Sequence, residues 1–153
     1  MKKTNKLLAS RSVLVDCQYV YKQFDSYPTG VDWKLKWILS VTLLQTIGEV
    51  LLKIDKQKGD IKLAKSIATI WSKRKDEKIY QLFIRQYRNK ILHQYDLHAG
   101  QGFHGKLGDP NHIPYTYPIK KGAFAGRDQR ELIKESIDWW DSVLSEIEYE
   151  YRL

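Results

Sequence analysis

Cysteine occurs once, at Cys17, so no disulfide can close within the chain and a four-cysteine zinc site is excluded. That usage fits a reducing compartment, and a cytoplasmic protein is expected. Proline is nearly absent before residue 110, Pro28 being the sole exception, so long helices can form without interruption. No uninterrupted run of about 18 apolar residues occurs, as a bilayer-spanning helix would require. The basic opening MKKTNKLLASRSVLVDC is broken by Arg11 and Asp16 where an export signal needs its apolar stretch. Neither a membrane span nor export is therefore expected. His98, His104, His112 and Asp109 share one glycine-rich stretch, but their spacing matches no metal motif. The string Ala99 to Gly105, AGQGFHG, has neither the preceding apolar strand nor the closing Lys-Ser/Thr of a phosphate loop. No metal and no cofactor is expected.

What remains is enough for one domain, since 153 residues with 42% hydrophobic content can bury a core of ordinary size. The net charge of +8 is unevenly spread. Residues 53–90 hold 12 Lys and Arg against 4 Asp and Glu, whereas residues 127–153 hold 4 against 8. The middle of the chain is thus a basic block, either a phosphate-binding face or the solvated surface of Lys-rich helices.

The pattern predicts helices. A first helix runs from about Lys6 to Phe24 and is closed by the turn-forming segment 25–30. A second, long and apolar, starts with Asp32 as N-cap and stops at Gly59. Asp60 can cap a third helix carrying Leu63, Ile67, Ile70 and Trp71, and a fourth begins near Asp76 and Glu77 and ends near Leu97. From His98 to about Gly126, six glycines and three prolines interrupt any period, which predicts one long loop. Ile133, Ile137, Trp140, Leu144, Ile147 and Tyr151 then recur at alternating steps of four and three, a packing seam on the last helix. The expected architecture is all-α, a single-domain antiparallel bundle of four or five helices with a long loop before the last.

Late in the fourth helix stands RNKILHQY, residues 88–95. An Arg followed after four residues by a His, with the spacing variation the motif allows, is expected by chance about once in every two chains of this composition. Requiring Asn after the Arg and Tyr two places beyond the His lowers this to roughly 0.0002. The string resembles the signature of the HEPN superfamily, and with Tyr95 the narrower pattern of HepT-like toxin ribonucleases. The long loop departs from the compact HepT pattern.

That resemblance implies a metal-independent endoribonuclease, a toxin or defence effector that leaves a 2′,3′-cyclic phosphate. It implies Arg88, His93 and Asn89 as catalytic residues and RNA as substrate. It further implies a homodimer with the active site at its interface and a nucleotidyltransferase-type antitoxin as partner. The residue types suit the chemistry. An imidazole can act as base or acid near neutrality, and a guanidinium grips phosphate oxygens with two parallel hydrogen bonds. Asn89 could orient the His or donate to phosphate. Arg85 and Lys90 lie close enough to add RNA contacts. Arg88 and His93 are, however, about 140° apart around an ideal helix, so a two-fold dimer pairing two such helices gathers them better than one protomer does. By the resemblance, Tyr95 is a site of nucleotidylation; by position it shares an arc with Ile84, Tyr87 and Ile91 and could flank the core. The alternative to catalysis is a HEPN-like module that binds RNA or a nucleotide without cutting it.

Overall fold

The computed structural model describes residues 6–103 and 115–153. Helix α1 spans Leu8–Gln23 and runs into a short 3-10 turn, Phe24–Ser26. Helix α2 spans Gly30–Val50 and continues through a π-helical stretch, Leu51–Asp55, to a last turn at Lys56–Lys58. Helix α3 is Ile61–Arg74. Helix α4 opens as a π-helix at Ile79–Arg85 and becomes α-helical over Gln86–Gln94. Helix α5 is Gln129–Arg152. Between α4 and α5 a strap forms one minimal antiparallel pair, β1 Gly102–Phe103 with β2 Tyr115–Thr116. The architecture is an all-α bundle of five helices, as the periodicity predicts.

Helix α2 is central, packing against α1, α4 and α5, while α5 also covers α1 and α3. Its inward residues Trp33, Trp37, Val41, Leu44 and Ile47 meet the predicted seam of α5, of which all but Tyr151 is buried. The two helices approach closely at Gly48, where a Cβ would lie 3.1 Å from the Trp140 ring. Together with its last turns, Gly30–Lys58, α2 is long and apolar enough to cross a membrane by length and composition alone. Polar residues break it often enough that no uninterrupted apolar run exists, and one side of it forms the core.

The helix ends follow local chemistry. Asp60 caps α3 by accepting from the Leu63 N–H at 2.8 Å, and its second oxygen accepts from the Tyr151 hydroxyl at 2.7 Å. These contacts fix α3 antiparallel to α5. Leu7, preceding α1, offers no capping side chain; Asp55, at the end of the π stretch, does so from across the bundle. It accepts from the N–H groups of Ala9 at 3.1 Å and Ser10 at 2.9 Å, and from the Ser10 hydroxyl. Helix α2 begins at Gly30 rather than after Asp32, because Thr29 is the extended residue before it. Asp32 instead sits in the first turn and pairs with Lys36 at 2.8 Å.

The strap is stitched to the bundle by buried amides. Gln129 accepts from the Trp33 indole at 3.0 Å and donates to the carbonyls of Gly100 at 2.7 Å and Pro118 at 3.1 Å. Tyr117 donates to the Pro28 carbonyl at 2.8 Å, and Trp37 donates to the Leu97 carbonyl at 2.9 Å. Buried polar groups left unpaired are expensive, so these bonds hold the strap's base where α4 ends.

Candidate functional site

The fourth helix presents the motif. Tyr80, Phe83, Ile84, Tyr87 and Ile91 are buried against the bundle, and the Tyr87 hydroxyl donates to the Lys121 carbonyl at 2.7 Å. With those positions turned inward, the helix period leaves Arg88, Asn89 and Lys90 half-buried on its flanks and Leu92, His93 and Gln94 exposed. The π-helical opening has no signal in the sequence. Its wider turn sets the rotation at which the motif emerges from the core.

Arg88 and Asn89 are brought together, the guanidinium lying 3.5 Å from the Asn89 side-chain oxygen, at the edge of hydrogen-bonding range. On α2, Glu49 forms an ion pair with Lys53 at 2.6 Å. That Lys53 contact, then Gln45 and the charge of Arg88, hold the Glu49 carboxyl below its ordinary range. Arg85 is exposed and donates to Gln81 at 3.2 Å. Among the described residues, the side chains of Lys90 and His93 make no hydrogen bond or ion pair. One protomer therefore joins Arg88 to Asn89, and among the described residues no hydrogen bond links His93 to either. Neither of two open clefts, of about 470 and 680 Å³, includes the motif.

Tyr95 does not flank the core. Helix α4 ends at Gln94, and Tyr95 adopts a left-handed conformation, φ 50 and ψ 33, as its C-cap. Its N–H donates to the Ile91 carbonyl at 2.9 Å, and its side chain is 65% exposed. The arc shared with Ile84, Tyr87 and Ile91 is broken because the helix stops short of Leu97, where the sequence pattern places its end.

His98 follows, also left-handed at φ 51. Its ring meets Tyr87 edge-on at 5.4 Å and its Nε2 lies 3.3 Å from Asp96. The His98 N–H, at 3.0 Å, is the main influence holding the Asp96 carboxyl below its ordinary range, with Lys121 at 3.1 Å assisting. The other three residues of the imagined ligand group, His104, Asp109 and His112, lie outside the described residues. Two strap aromatics pack onto the bundle: Tyr117 edge-on to Phe24 at 5.7 Å, and Phe124 edge-on to Phe83 at 5.9 Å.

Sequence reasoning missed Glu49, Lys53 and Lys121. Each lies far from the motif in the chain, and only the packing of α2 and of the strap places it nearby. Comparison with family models, with curated proteins and with solved structures finds no match to this chain.

Proposed function

We propose that the chain is a metal-independent HEPN-type endoribonuclease, a cytoplasmic toxin or defence effector working as a homodimer. The observation that carries this reading is the RNKILHQY string at the exposed end of α4. There an Arg–Asn pair and a His with no partner among the described residues stand on one basic helix. His93 takes the proton from an RNA 2′-hydroxyl, whose oxygen attacks the adjacent phosphorus. Arg88 neutralises the pentacoordinate phosphate, and the 5′-oxygen leaves with a proton returned by the protonated imidazole or drawn from solvent, giving a 2′,3′-cyclic phosphate. Asn89 orients the guanidinium or donates to phosphate, and Arg85 and Lys90 hold the flanking backbone.

A dimer would gather two Arg and two His into one cleft. Helix α2 is covered by α1, α4 and α5, yet carries Val31, Leu35 and Leu39 exposed at 68, 59 and 45%. With exposed Leu92 on α4, these supply an apolar surface for a two-fold contact. Tyr95, with its hydroxyl in solvent, is open to nucleotidylation by a nucleotidyltransferase-type antitoxin.

The isolated state of His93, with no hydrogen-bond or ion-pair partner among the described residues, favours a second reading: a HEPN-like module that binds RNA or a nucleotide without cutting. Incubating purified protein with single-stranded RNA in EDTA separates the two. Cleavage lost in Arg88→Ala and His93→Ala supports the nuclease; binding without cleavage supports the module.

A further inference from the structure

Among the described residues, three other than glycine hold a left-handed backbone: Tyr27, Tyr95 and His98. A side chain in that conformation is strained, and glycine would relieve the strain. In two of the three cases the ring is anchored. Tyr27 packs against the core with Arg130 at 5.7 Å from its ring, and His98 lies on Tyr87 beside Asp96. Tyr95 has neither. Its ring joins no aromatic pair and no hydrogen bond among the described residues, and it stands in solvent two positions beyond His93.

The helix it caps is basic. Lys90, Arg85 and Arg88 precede it on α4, and the nearest carboxylate in sequence, Asp96, is engaged by the His98 N–H and Lys121. A flat exposed ring, on a backbone fixed by a helix cap at the end of a basic helix, suits an unstacked nucleobase attached to a polyanion. We infer that Tyr95 is the base-stacking platform of the site, receiving an unpaired base next to the scissile phosphate and so selecting single-stranded RNA. The inference rests on the nuclease reading and assigns a residue to its substrate choice.

The test uses the full chain carrying His93→Ala, so that RNA is not consumed, with short oligoadenylate, oligouridylate and a duplex of equal length as probes. Adding Tyr95→Gly is expected to leave the melting temperature equal or higher, because strain is removed. It should weaken binding of the unpaired probes about tenfold, the effect of losing one stacked base, and leave duplex binding unchanged. Tyr95→Phe should retain binding, since the ring and not the hydroxyl acts. Equal affinity with and without the ring overturns the inference while leaving cleavage by Arg88 and His93 intact. Dissociation of a dimer by Tyr95→Gly also overturns it, assigning the ring to a second copy of the chain. If the unmodified protein neither binds nor cuts RNA, the nuclease reading falls and this inference with it.

Discussion

Replacing Asp55 by Ala strips the start of α1 of its cap, although the two lie 45 residues apart in sequence. Three donors lose their acceptor: the Ala9 and Ser10 N–H groups and the Ser10 hydroxyl. Ser10 is fully buried, so water cannot easily replace the carboxylate there. Loss of a helix cap costs about 1 kcal/mol and a buried unsatisfied donor about 1–3 kcal/mol, so the expected loss is about 3 kcal/mol. For a chain of this size that lowers the melting temperature by roughly 6–12 °C. Asp55→Asn, which keeps one oxygen acceptor, should lose about half as much. Because Ser10 and Asp55 act on each other, Ser10→Ala and Asp55→Ala should be less than additive. Thermal unfolding followed by circular dichroism measures all four variants. A melting temperature for Asp55→Ala within about 2 °C of the wild type, or strict additivity with Ser10→Ala, would refute the claim that α1 is capped from α2.

Gly48→Ala gains about 1 kcal/mol of helix propensity but presses a methyl group against Trp140 at 3.1 Å, which costs about 1–3 kcal/mol. Urea unfolding should show a net loss. Burial pushes the Cys17 thiol up to about 12, so a thiol reagent at mildly alkaline pH should label the unfolded chain and spare the folded one. Asp60, chiefly through the Leu63 N–H, and Asp96, chiefly through the His98 N–H, are both held below the ordinary value of 3.8. Their stabilisation is therefore present above 3.8 and lost as the pH falls through the lower folded values. Asp60→Asn and Asp96→Asn should be less stable than wild type at neutral pH, and the difference should close only in strong acid.

The elements legible in the sequence are those with strong local causes. The α5 seam needs only helical period, and the Asp60 cap needs only an acceptor three residues before a free N–H. Differences arise where distant contacts decide. Nothing local announces the π-helical stretches in α2 and α4, since a wider turn is retained only when packing on other helices compensates for it. Tyr95 reads as a core-flanking residue only if the helix extends to Leu97, whereas the indole of Trp37 takes the Leu97 carbonyl outside the helix. The strap's order depends on Gln129, whose three partners come from three separate segments. The motif itself is fully legible, but its emergence with Arg88 near Glu49 and His93 in solvent depends on the bundle.

The most direct measurement is cleavage of a single-stranded RNA in EDTA by wild type, Arg88→Ala and His93→Ala, with the chemistry of the new ends determined. The account predicts 2′,3′-cyclic phosphate ends from the wild type and loss of cutting in both variants, with each variant folded. Cutting that persists in either variant would contradict it.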